Sequence, residues 1–233
     1  MSYMGYLIGM ELFIDTAIVA EIREAQSWGI LDGVTTNPTH IAKSGRELED
    51  VLEEIFSICP GPVSVETVSA DAEGIVAEGR AIAAFHKNAV VKVPVMIEGL
   101  KAVKQLSSEG IRTNVTLCFS PLQAFLAAKA GATYISPFVH RKEEAGMDGM
   151  EMVRQMRAIY DRYGYNTKIL AASIRTGKEV LDCLLAGADA CTMPLNVMES
   201  LYKHMMTDAG LKMFMDDWKK VPPTELFAAL TRA

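Results

Sequence analysis

Eight short β-branched runs, separated by stretches with a helical repeat, constrain this chain more than any other feature. They fall at residues 11–15, 33–36, 63–66, 90–93, 112–116, 134–137, 168–171 and 190–193. Their starts lie 22 to 34 residues apart, about the length of one strand, one loop and one helix. The segments between them carry apolar stripes at helical spacing. Ile18, Ile22 and Ala25 form one, Leu48, Val51, Leu52 and Ile55 another, and Met152, Val153, Met156 and Ile159 a third. Strands and helices that alternate in this way imply parallel strands joined by crossover helices.

The segment ends support the same reading. Ala130-Gly131-Ala132 precedes the sixth run and Ala186-Gly187-Ala188 the eighth. Gly110 precedes the fifth, and Gly29 and Gly33 bracket the approach to the second. Glycine just after a helix suits a left-handed C-terminal cap. Eight such units fit either a closed barrel or an open doubly wound sheet. No GxGxxG follows an early strand, so the dinucleotide-binding sheet has little support. The expected fold is a parallel (β/α)8, TIM-type barrel with an extra C-terminal helix at 208–219. A length of 233 residues suits one such domain. Residues 1–9 read as an N-terminal extension, and 10–233 as a single barrel domain with its C-terminal helix and a tail after Pro222-Pro223.

Composition excludes several classes. The net charge is −6 and no lysine or arginine run forms a nucleic-acid footprint, so nucleic acid is not an expected partner. Cys59, Cys118, Cys183 and Cys191 form no CxxC pair and no metal-ligand spacing with histidine, which points to buried, reduced thiols in a cytoplasmic protein with no metal. The N-terminal apolar run lacks a preceding basic residue, and nothing is long enough to span a membrane. The fourteen methionines are scattered at helical positions and read as core. His40, His86, His140 and His204 show no ligand spacing; only His140 lies near the proposed site, and no role is assigned to it.

In a barrel the chemistry lies at the C-terminal ends of the strands. Those ends hold polar residues where apolar ones belong. Lys92 stands inside Val90-Val91-Lys92-Val93-Pro94. A strand buried on both faces should read as continuous aliphatic residues. Either the lysine snorkels to water, or burial leaves its amine uncharged and nucleophilic toward a carbonyl. Asp15 closes the first run, as a helix cap or as a site carboxylate. Glu66 closes the third. Asn114 and Thr116 alternate on the fifth, so they face the same side. Asn37 precedes Pro38 as a turn residue would, Ser136 lies in the sixth run, and Ser173 follows the seventh. Every strand end but the last contributes a polar residue. Arg141 and Arg175 follow the sixth and seventh runs, either solvated or placed to grip a phosphate with forked hydrogen bonds.

At these residues the chain resembles the transaldolase family, in its short single-barrel subgroup. The matching phrases are Phe13-Ile14-Asp15-Thr16-Ala17, Gly33-Val34-Thr35-Thr36-Asn37-Pro38, Val91-Lys92-Val93-Pro94, Ser136-Pro137-Phe138-Val139-His140-Arg141 and Ala171-Ala172-Ser173-Ile174-Arg175. The likeness runs from about residue 10 to about residue 220. It implies Lys92 as a Schiff-base lysine, Asp15 as the acid/base toward the substrate hydroxyl, and Glu66 with Thr116 as holders of a catalytic water. It implies Asn37 and Asn114 as hydrogen-bonding residues around the donor, and Thr35, Ser136, Phe138 and Ser173 as residues lining the pocket. Arg141 and Arg175 would bind phosphate. His140 departs from the family, where glycine is common. Relatives that act as fructose 6-phosphate aldolases have a glutamine-like residue at Glu66 and tyrosine at Phe138, so this pairing favours group transfer. The resemblance further implies sugar phosphate substrates, no cofactor, and rings of five or ten subunits assembled through the C-terminal helix. The rival readings are a fructose 6-phosphate aldolase, a phosphosugar epimerase or isomerase with a structural Lys92, and a non-catalytic phosphosugar-binding barrel.

Overall fold

The alternating runs resolve into eight strands: β1 (Glu11–Asp15), β2 (Gly33–Thr35), β3 (Val63–Glu66), β4 (Ala89–Pro94), β5 (Thr113–Cys118), β6 (Tyr134–Pro137), β7 (Lys168–Ala171) and β8 (Ala190–Met193). The computed structural model describes residues 9–222. The strands pair in parallel, in sequence order, and β1 pairs with β8, so the sheet closes into a barrel. Between them run α1 (Val19–Ser27), α2 (Pro38–Ser44), α3 (Leu48–Ile58), α4 (Ala72–Phe85), α5 (Ile97–Ser108), α6 (Pro121–Ala130), α7 (Val139–Glu144), α8 (Gly149–Tyr163) and α9 (Gly177–Ala186). α10 (Leu195–Ser200) and α11 (Met205–Trp218) follow β8. The expected (β/α)8 architecture is therefore present. The expected extension at 1–9 and the tail past Pro222 fall almost wholly outside the described residues.

Side chains on each strand divide by parity. Ile14, Val34, Val65, Val91, Val93, Val115, Ile135 and Ile169 face outward and join helix residues such as Ile22, Ile55, Ile75, Val103, Leu106 and Met156 in one buried core. The other parity faces the barrel axis. Phe13, Val90, Tyr134, Leu170 and Ala190 fill the N-terminal half of the interior as a separate apolar cluster. Below them Glu11 pairs with Lys168 and accepts a hydrogen bond from Tyr134 at 3.3 Å. The N-terminal mouth is thus plugged, and only the C-terminal mouth is left for a site. Gly33 is where β2 passes the Phe13 ring: a Cβ there would sit 2.7 Å from two ring carbons and from the Pro62 carbonyl. Gly131 and Gly187 take the left-handed conformation (φ 97° and 84°) that their positions after α6 and α9 suggest.

Some boundaries move. β2 ends at Thr35 rather than Thr36, because Asn37 turns the chain and caps α2. β4 gains a residue at each end, and β5 runs from Thr113 to Cys118 rather than 112–116. β5 is irregular between Val115 and Cys118, with Leu117 at φ 57°. α11 starts three residues before the expected 208 because the His204 ring accepts from the Met206 N–H and caps it. Among the described residues, 199–222 belong to a compact unit distinct from 9–198. In that unit α11 buries none of its residues.

Candidate active site

The second interior layer, one alternation above the apolar plug, is polar. Lys92 and Ser136 succeed the apolar Val90 and Tyr134 on their strands, and Ser64 and Asn114 take the inward positions of β3 and β5. Asn114 is fully buried and donates to Ser64 Oγ at 3.1 Å, while Ser136 donates to Asn114 Oδ1 at 2.8 Å. The first of these bonds spans β4, because β3 and β5 are not neighbours, and the second joins adjacent strands. The layer above opens into a cleft of about 360 Å³ at the C-terminal mouth.

Lys92 ends in this cleft with its side chain only 7% exposed. Its Nζ lies 3.1 Å from Glu66 Oε2 and donates to the Thr36 carbonyl at 3.0 Å. The snorkelling alternative is therefore set aside: the amine is held inside by two oxygens. Asp15 caps no helix, since the N-cap of α1 is Ile18 with no side-chain bond. Its Oδ1 accepts from Thr35 Oγ1 at 2.7 Å and faces His40 Nε2 at 3.3 Å. Burial pushes the Asp15 carboxyl up. The hydrogen bond and charge of His40, the charge of Lys92 and the Thr35 hydroxyl more than offset this, and hold it below the usual carboxylate range.

Thr116 Oγ1 is buried and without a protein partner. Asn37 plays the turn role: its side chain accepts from the His40 N–H at 3.0 Å, and it also borders the cleft. Arg141 and Arg175 reach the cleft from α7 and from the loop between β7 and α9, with the Arg141 guanidinium 5.2 Å from the centre of the Phe138 ring. Of the residues singled out in the sequence, Asp15, Thr35, Asn37, Glu66, Lys92, Thr116, Ser136, Phe138, Arg141, Ser173 and Arg175 border one cleft. Asn114 does not; it supports the floor from beneath. Among the described residues no group of three or more His, Cys, Asp or Glu is arranged to hold a metal ion.

Three features escape the sequence. The eighth strand does contribute: Thr192 borders the cleft, and its hydroxyl lies 2.7 Å from Thr35 Oγ1. Since the Thr35 proton goes to Asp15, Thr192 is the donor of that pair. His40 reaches Asp15 from α2, and only its place three residues past Asn37 could have hinted at this. Leu117 and Ser173 both border the cleft with positive φ, 57° and 60°. Each such non-glycine residue costs on the order of 1–3 kcal/mol, and this strain collects at the mouth.

A closed parallel barrel with its buried amine, carboxylates and arginines all at the C-terminal mouth defines the class: a (β/α)8 protein with an enzyme-type site at the top of the barrel. The description of the transaldolase/fructose-6-phosphate aldolase family matches residues 12–225, and the chain belongs to that family. It is 57% identical over 213 residues to a probable transaldolase of Hydrogenobaculum sp. (91% of this chain, 98% of the other). It is 55% identical, with the same coverage, to a probable transaldolase of Aquifex aeolicus. Among solved structures it is similar to the thiamine phosphate pyrophosphorylase from Pyrococcus furiosus (TM-score 0.56, 15% identity, 82% of this chain and 93% of the other). It is also similar to a putative fructose-1,6-biphosphate aldolase from Coccidioides immitis (TM-score 0.55, 14% identity, 79% and 73%). At such identities these two show the fold alone.

Proposed function

We propose that this chain is a transaldolase that moves a dihydroxyacetone unit from fructose 6-phosphate or sedoheptulose 7-phosphate to erythrose 4-phosphate or glyceraldehyde 3-phosphate, as a step of the pentose phosphate pathway. The observation that carries this reading is the Lys92 amine 3.1 Å from Glu66, in the cleft that Asp15 also borders. The names of the relatives, probable transaldolases, support it.

The amine passes its proton to Glu66 and attacks the ketone of the donor. Glu66 returns a proton through a water held by the free Thr116 hydroxyl, and the carbinolamine loses water to give an iminium on Lys92. The iminium draws electrons from the neighbouring C–C bond. Asp15 takes the C4 hydroxyl proton, the C3–C4 bond breaks, and an aldose phosphate leaves from Arg141 and Arg175. The three-carbon enamine stays on Lys92 until a second aldose phosphate accepts it, with Asp15 returning the proton. The iminium itself serves as the electron sink, so no cofactor is invoked.

The apolar Phe138 ring at the cleft favours transfer over hydrolysis, because it holds no water against the enamine. Adding erythrose 4-phosphate to enzyme and fructose 6-phosphate should accelerate turnover at least about tenfold, a barrier difference of roughly 1.4 kcal/mol. Equal release of dihydroxyacetone with and without acceptor would assign the chain to cleavage instead. The four buried free thiols support a reducing, cytoplasmic setting. No helix among the described residues is long and apolar enough to cross a membrane.

A further inference from the structure

Glu179 is the third residue of α9, and its carboxylate, 9% exposed, does more than cap that helix. The capping box needs one bond: the Thr176 N–H donates to Glu179 Oε2 at 3.0 Å while Thr176 Oγ1 accepts from the Glu179 N–H at 3.2 Å. Two further donors converge on the same group. The Arg175 N–H reaches Oε2 at 2.6 Å, and His140 Nδ1 reaches Oε1 at 2.6 Å. Burial pushes the Glu179 carboxyl up, but the Arg175 N–H, the His140 ring and the Thr176 N–H together hold it below the usual carboxylate range. Glu179 is therefore the acceptor, and His140 Nδ1 carries the proton.

His140 belongs to α7, which follows β6, and it directly precedes Arg141. Arg175 lies on the next loop around the barrel, after β7. One buried carboxylate thus binds the backbone of one arginine and the chain neighbour of the other. The other ring nitrogen of His140 faces Glu144 Oε1 at 3.5 Å, on its own helix.

We propose that His140 and Glu179 form a positioning pair that ties α7 to the loop after β7 and fixes the spacing at which Arg141 and Arg175 meet a substrate phosphate. This rests on the reading that those arginines grip the phosphate. The reason is entropic. Two guanidiniums on independent segments must be ordered at each binding event, and an existing tie removes part of that cost. Neither His140 nor Glu179 borders the cleft, so the pair acts through the arginines.

The test compares His140→Leu with His140→Asn, whose amide nitrogen can occupy the place of Nδ1 and donate to Glu179. KM and kcat are measured for fructose 6-phosphate and for unphosphorylated fructose, and inorganic phosphate is titrated as a competitive inhibitor. His140→Leu should raise KM for fructose 6-phosphate and weaken phosphate inhibition on the order of tenfold, within the range of coupling between residues in contact. The effect on kcat, and on kcat/KM for fructose, should be less than about twofold, and His140→Asn should recover most of the loss. In an Arg141→Ala background the His140→Leu penalty should largely vanish. Equal losses for both sugars, no change in either constant, or no recovery in His140→Asn would overturn the tie. Arg141→Ala and Arg175→Ala as single variants separate the two levels. If they weaken fructose 6-phosphate and fructose alike, the phosphate grip itself fails. If they act on the phosphorylated sugar alone while His140→Leu does nothing, only the tie fails.

Discussion

Two groups converge on Lys92 Nζ, and their distances decide what the amine does. Glu66 and the Thr36 carbonyl hold it at 3.1 and 3.0 Å, so it points up the axis into the cleft rather than back toward the apolar plug. Borohydride added with fructose 6-phosphate should therefore fix a three-carbon adduct on the peptide that contains Lys92. An adduct on another lysine would remove the Schiff-base assignment. At Asp15 the decisive neighbour is His40. The folded chain holds this carboxyl below its usual range, so its contribution to stability is present above that range and is lost as pH falls through the lowered value. The same shift keeps Asp15 a carboxylate, and so a base, at mildly acid pH. His40→Leu removes a donor and a charge, and the Asp15 carboxyl should rise. The acidic limb of the kcat/KM profile should then move to higher pH, and a limb that stays in place would assign it to another group. The sequence made Lys92 and Asp15 visible because the first interrupts an aliphatic run and the second closes one. His40 interrupts nothing: it sits on a short polar helix and matters only because α2 folds over the mouth.

The strands were legible as elements because each combines β-branched residues with a period of two and ends at a turn or helix signal. Their ends were less so. β5 was expected to stop at Thr116, yet it continues through a bulge to Cys118, and the cause is the turned Leu117 backbone, which its side chain does not advertise. β8 was expected to give the rim nothing. Thr192 follows Ala190 at the inward parity, so the alternation along β8 puts it on the axis side. Gly33 illustrates the reverse case, a residue whose role lies in packing rather than in a turn. In Gly33→Ala the new methyl would meet the Phe13 ring and the Pro62 carbonyl at 2.7 Å. The ring can shift within the plug, whereas the carbonyl is tied into the sheet through its bond to the Val34 N–H. The substitution should cost about 1–3 kcal/mol, read as a lower denaturant midpoint. An unchanged midpoint would show that β2 can move away from the plug.

At the scale of the whole molecule the prominent feature is α11, a helix with no buried residue. Met205, Met206, Leu211, Met213 and Phe214 are all exposed on it. Exposed apolar surface of this extent marks an interaction site. We propose that this helix is the contact through which the pentamer or decamer implied by the family resemblance would assemble. Sedimentation of the intact protein should give a mass several times that of the 25.4 kDa chain. Leu211→Asp with Phe214→Asp should shift it toward monomer while leaving the barrel's circular dichroism intact. A monomeric native protein would leave those residues without this role.

The sequence by itself determined the eight alternating strand and helix units and the alternation of faces along each strand, because both are local properties. A period of two along a strand and of 3.6 along a helix needs no distant partner to be read, and neither does a charged residue among valines. Only the tertiary structure decided how those residues connect. Thr192 meets Thr35 across 157 residues of chain, Asn114 meets Ser64 across 50, and Glu179 meets His140 across 39. Each pair joins side chains whose local surroundings are those of ordinary caps and strand residues. Closing the sheet brings them within hydrogen-bond reach, and buried polar groups must find partners there because water cannot supply them.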